Sequence, residues 1–152
     1  MIIVGIDPAT NKPIAYAIWR DGKLVVTGKT DDLIKIADTL QSADKVYIED
    51  QYLGLNPKTM AGLVRCTGEA IGICKMVGTE WELVYPATWM SRIKFKYGKN
   101  TEKLSQHFWK KKKAEMLRQK ATEITGVAFE NEDEAAAAMI GYAMGVVNEK
   151  KM

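Results

Sequence analysis

Residues 2–6, "IIVGI", form a short, almost wholly apolar run that ends on Asp7. Such a run is expected of a central strand buried on both faces, and it commits the chain to a sheet covered above and below. Residues 13–19 then alternate bulky and small side chains, and "KLVVTGK" follows them. Asp21-Gly22, between the two, supplies a tight hairpin turn. "TDDLIKIADTL" places Leu33, Ile36, Ala37 and Leu40 on one helical face, with Thr30 or Asp31 as the expected N-cap. "KVYIED", residues 45–50, reads as a fourth strand that ends in two acids.

A helix rich in small residues (Ala61, Gly62, Gly68, Ala70, Gly72) is expected over 58–77. "WELVYP" is a fifth strand stopped by Pro86, and "PATWMSRI" is a short helix. Another helix is expected over roughly 111–125, closed by Gly126, and a last one over roughly 131–148. Three antiparallel strands followed by alternating units imply a mixed sheet with helices on both faces, an α/β fold. A length of 152 residues fits one domain, 1–152, with a single core and no internal repeat or linker.

No apolar stretch approaches the ~20 residues that span a bilayer, and no basic-then-apolar leader opens the chain. Cys66 and Cys74 lie two turns apart in one expected helix, about 12 Å along its axis, too far for a bridge. Reduced thiols of this kind point to a cytoplasmic protein. With His107 the sole histidine, a zinc site built from Cys and His is disfavoured. Charge is unevenly spread. Eleven of the 22 Lys and Arg residues fall between Arg92 and Lys120, against only Glu102 and Glu115. Phe95, Tyr97, Phe108 and Trp109 interleave with them, on a chain whose remainder is net acidic. A basic segment with aromatics suggests a polyanion, and nucleic acid before membrane, because no clean apolar face accompanies the charge.

Asp7 ends the first strand and Glu49 the fourth. If these strands neighbour each other, two carboxylates lie side by side and repel unless a cation sits between them. Each acid alone reads equally well as a turn cap; the coincidence favours a metal site. Glu132, Asp133 and Glu134 then open the last helix, where acids also complement the helix dipole, and four alanines follow them.

The order of acids, on two strands and a late helix, is that of the ribonuclease H-like nucleases. More narrowly, the chain resembles the RuvC family of Holliday junction resolvases, in its phage-type branch. The resemblance rests on "GIDPATNKPIAYAIW", "YIEDQYLGLNPKTM", "VYPATWMSRI" and "NEDEAAAAMIGYA", and it covers nearly the whole chain. It implies a ribonuclease H-like mixed five-stranded sheet flanked by helices. It also implies a Mg²⁺-dependent endonuclease that nicks four-way junctions, in the cytoplasm of a bacterium or phage-infected host. Two Mg²⁺ ions, replaceable by Mn²⁺, fit the hydrolysis of a phosphodiester.

Carried over by position, Asp7 and Glu49 match the family's strand ligands, and Asp133 the first of two helix acids three residues apart. The second falls on Ala136, where the resemblance implies an aspartate. Ala136 is then either a deliberate active-site substitution or a natural departure that borrows Glu132 or Glu134. The other register pairs Glu130 with Asp133. Lys113 matches the family's catalytic lysine, with Lys112 in reserve; plain phosphate contact is an equal reading for either. Tyr52 stands where the family carries an aromatic that enters the junction, and residues 54–58, including Lys58, would approach DNA with it. Lys94, Lys96, Lys99, Lys110, Lys111 and Lys112 complete the expected DNA contacts. The helix over 58–77 resembles the family's dimer-forming helix, so a homodimer is expected. Two other readings stay open: a protein that binds branched DNA without cutting it, and a related enzyme acting on RNA hybrids or ends.

Overall fold

The computed structural model describes residues 1–50 and 56–148. Five strands form one sheet in the order β3-β2-β1-β4-β5, with β1 at Ile2–Asp7, β2 at Ile14–Arg20, β3 at Lys23–Thr30, β4 at Lys45–Glu49 and β5 at Glu80–Val84. β1 runs antiparallel to β2 and parallel to β4, so the sheet is mixed, as two hairpin connections followed by two crossovers require. Asp21 and Gly22 make the hairpin turn with φ of 50° and 79°, the left-handed pair that a two-residue loop needs.

Alternation sorts the two central strands onto two cores. Val4, Ile6, Val46 and Ile48 face the layer of α1 (Ala37–Ser42) and α2 (Pro57–Val77). Ile3 and Tyr47 face the opposite layer, built on α5 (Glu132–Gly141) with α3 (Pro86–Arg92) and α4 (Gln106–Thr125). Since side chains two apart share a face, Asp7 and Glu49 come out on the α5 side.

α5 explains its own alanines. A Cβ on Gly5 would lie 2.1 Å from the Ala137 carbonyl oxygen, and one on Gly145 would lie 2.6 Å from Ile3. The helix therefore rests directly on β1, and only small side chains fit between backbone and backbone. Trp19 Nε1 donates to the Ala138 oxygen at 3.0 Å, drawing on a carbonyl of the helix ladder. The last expected helix does not stay α-helical: its next turn, Tyr142–Val146, is a π-helix.

Three other boundaries differ from the sequence reading. The helix expected from Thr30 or Asp31 starts as a 3₁₀ turn, Leu33–Ile36, capped by Asp32, because Thr30 Oγ1 instead accepts from the Asp32 amide. α2 begins one residue earlier than expected, with Pro57 in its first turn and Asn56 as cap. α4 begins at Gln106, since Ser105 accepts from the Phe108 amide and caps the helix before the lysine run.

Candidate active site

β1 and β4 are in parallel register up to Ile6 opposite Ile48, which sets Asp7 beside Glu49 at the carboxyl ends of both strands. The two carboxyl groups are close enough to influence each other's charge directly. Glu49 is 8% exposed and its Oε2 accepts from Trp89 Nε1 at 2.7 Å, so α3 fixes this carboxylate's direction. Burial holds Asp7 well above the usual carboxylate range, and the negative charges of Glu49, Asp133 and Glu132 add to it while Lys12 opposes them. Burial likewise raises Glu49, outweighing the hydrogen bond from Trp89 and the influence of Asp7, both of which lower it. Two acids so placed need a proton or a cation between them. Their oxygens are hard donors on rigid strand ends, so the residues fit a divalent ion.

A cavity of about 410 Å³ opens over this pair. Glu132, Asp133 and Ala136 of α5, Lys110 and Lys113 of α4, and Lys12 also line it. Asn131 orients the α5 end: its Oδ1 accepts from the Glu134 amide at 2.8 Å, and its Nδ2 donates to the Glu134 carboxylate. Glu134 thus serves the cap and faces a different hollow, with Glu130 and Phe129. Neither Glu130 nor Glu134 lines the cavity over Asp7 and Glu49. Glu132 remains beside the site. Ala136, 8% exposed, forms floor where the resemblance implies a carboxylate.

Asp133 departs from the expected meeting of acids. Its side chain is 16% exposed, with Oδ1 2.8 Å from Lys12 Nζ and Oδ2 3.5 Å from Lys29 Nζ. Among the described residues, no three His, Cys, Asp or Glu side chains converge on one point, so protein oxygens from Asp7 and Glu49 would have to be completed by water or substrate. The acids share a cavity; they do not share a point.

Lys113 lies in the cavity with its ammonium 5.7 Å from the Tyr97 ring and 5.8 Å from Trp109. Lys112 is bound to Glu102 at 2.7 Å, which leaves Lys113 as the lysine of the run that faces the acids together with Lys110. Tyr97 packs edge-on against Phe95 and its hydroxyl is pushed up to about 12, by burial and then by Glu132, Glu49 and Asp7. Lys94 and Lys96 line an adjoining hollow that shares Tyr97 and Met90 with the first. Lys58, Lys99 and Lys111 are exposed away from both. Tyr52 and residues 51–55 lie outside the described residues.

The sequence reading assigned no role to Lys12, Lys29 or Trp89, and took Tyr97 only as one of the aromatics among the basic residues. Trp89 sat in a quoted motif, and Lys12 in the loop just after Asp7; nothing in residue type alone set either apart from a core indole or a surface lysine.

No protein-family model and no curated protein matches this sequence. Solved structures do match it. One is Thermus thermophilus RuvC in complex with a Holliday junction substrate, with TM-score 0.68, 12% identity, and cover of 99% of this chain and 96% of that one. Another is the Fowlpox virus resolvase with its substrate Holliday junction, with TM-score 0.58, 21% identity, and cover of 94% and 95%. At these identities the likeness is one of fold, and it agrees with the ribonuclease H-like mixed sheet read from the sequence.

Proposed function

We propose that this chain is a structure-selective endonuclease for four-way and related branched DNA, dependent on a divalent ion and limited in output by Ala136. The observation that carries the reading is the buried Asp7–Glu49 pair opening into one cavity with Glu132, Asp133 and Lys113. The fold neighbours bound to junction DNA support the substrate class. Asp7 and Glu49 would hold Mg²⁺ or Mn²⁺, with Glu132 and Asp133 at the second side. A divalent ion there supplies a more acidic water and a counter-charge for the leaving oxygen.

The chain's own residues do the rest. Trp89 keeps Glu49 aimed at the cavity, and Lys113, steadied between Tyr97 and Trp109, faces the charge that develops on the phosphate. The exposed lysines of α4 and the preceding loop hold backbone phosphates without reading bases. Paired nicking calls for two copies. On α2, Met60, Val64 and Met76 are 40%, 48% and 81% exposed, and a Cβ on Gly68 or Gly72 would meet nothing within 4 Å. These residues recur every fourth position, a ridge on which a second copy's α2 would pack.

A second reading is favoured by one observation: Ala136 offers no oxygen and both Asp133 oxygens face lysines, as in a protein that holds branched DNA without cutting it. Ala136→Asp decides between them. Nicking of a synthetic four-way junction in Mg²⁺ should rise at least about 10²-fold while binding stays within a few-fold. No nicking by either form leaves the binding protein. Running linear duplex and an RNA–DNA hybrid beside the junction separates the third class, since a hybrid-cutting enzyme would prefer the hybrid.

A further inference from the structure

Lys12 reaches out of the loop after Asp7 and sets its ammonium against an acid that the site would need. Its Nζ is 2.8 Å from Asp133 Oδ1, and Lys29 Nζ, from β3, is 3.5 Å from Oδ2. Asp133 is mostly covered, at 16% side-chain exposure, while Lys12 reaches it from a side chain that is 54% exposed. Lys12 also faces the charges of Asp7 and Glu132, which with Asp133 outweigh the burial that works against its own. Below them Ala136 adds nothing to attract an ion to the α5 side.

A site so acidic must gather positive charge, and a cation tied to the backbone beside it competes at a high effective concentration. Mg²⁺ gives up its water reluctantly and needs several oxygens to bind well. With one oxygen donor missing, the tethered cation has the advantage. We propose that the Lys12 ammonium takes the place of one of two ions, so that this chain holds a single divalent cation, at Asp7 and Glu49. The inference rests on the metal-dependent reading above. Lys29 assists at longer range.

Counting bound Mn²⁺ on the full chain, by the electron paramagnetic resonance of the free ion near neutral pH, tests this without any cutting assay. The unaltered chain should bind one ion. Lys12→Met should add a second, or tighten it by about fivefold. Lys29→Met should have a smaller effect, and Lys12→Arg, which keeps the charge, should leave the curve as it was. Lys35→Met, whose lysine pairs with Asp31 on the surface, controls for net charge and should also change nothing. Two ions on the unaltered chain, or superimposable curves for it and Lys12→Met, overturn the proposal and leave the metal-dependent reading standing. No ion on any of these proteins overturns both.

Discussion

α4 and α5 both line the acidic cavity, and they are built in opposite ways. Seven of the ten residues of α5 are buried, from Ala135 to Gly141, whereas the twenty residues of α4 bury only Leu117 and Ala121. α5 lies against β1 backbone to backbone; α4 touches the body through a thin apolar seam and gives the rest of its surface to solvent. Under the proposed function, the contrast follows what each helix would have to hold. Acids that serve a small cation must stand within tenths of an ångström, so they belong on an element that cannot shift. Phosphate contacts work at longer range and tolerate movement, so they suit an exposed helix. If this is right, faults in α5 should act through geometry and stability, and faults in α4 through charge alone.

The seat of α5 is the place to strike first. Gly5→Ala would drive a methyl to 2.1 Å from the Ala137 oxygen, and neither backbone can yield without lifting the helix. We expect a loss of more than about 3 kcal/mol, or about 10 °C in Tm, measured by calorimetry or circular dichroism. Lys111→Ala on exposed α4 should cost under about 0.5 kcal/mol. A Gly5→Ala protein that melts with the unaltered chain would mean that α5 is free to shift, and the contrast between the helices would be lost.

Charge is the second test. Replacing Lys110, Lys111, Lys112 and Lys113 together by Gln should leave Tm nearly unchanged yet lower junction affinity about 10- to 100-fold at low salt. The slope of log affinity against log salt should also flatten, because fewer counterions are released. An unchanged affinity and slope would make the basic run a solvated face and nothing more.

How far these features could be read from residues alone differs between the two helices as well. The strands and the Asp7–Glu49 neighbourhood were legible because short apolar runs, alternation and strand-end acids are local signals that tertiary packing only had to accept. The small residues of α5 were visible, but their reason was not: it lies in Gly5, more than a hundred residues away, and no spacing rule connects them. The start of α4 was not legible because it depends on one hydroxyl, the Ser105 cap, ahead of the lysine run. Lys12 went unassigned since its partner, Asp133, becomes its neighbour only through the β1–β2 loop and the β1–α5 contact. Ala136 could be singled out by resemblance, but its position on the cavity floor depended on the fold.

The smallest effect separates the helices most finely. Both start with a side-chain cap: Ser105 accepts from the Phe108 amide at 3.3 Å, and Asn131 from the Glu134 amide at 2.8 Å, with a second bond back to the Glu134 carboxylate. Ser105→Ala and Asn131→Ala should each cost about 1 kcal/mol, the second somewhat more because its bond is shorter and doubled. Their functional costs should not match. Frayed α4 keeps its lysines and their charge, so junction affinity should hold. Frayed α5 lets Glu132 and Asp133 move away from the cavity over Asp7 and Glu49, so an ion held at that pair should lose their long-range attraction and bind Mn²⁺ a few-fold more weakly, although no acid has been removed. Equal effects of the two caps on Mn²⁺ binding would show that the acids of α5 are not positioned by its first turn, and that the difference in burial between the helices has no bearing on the site.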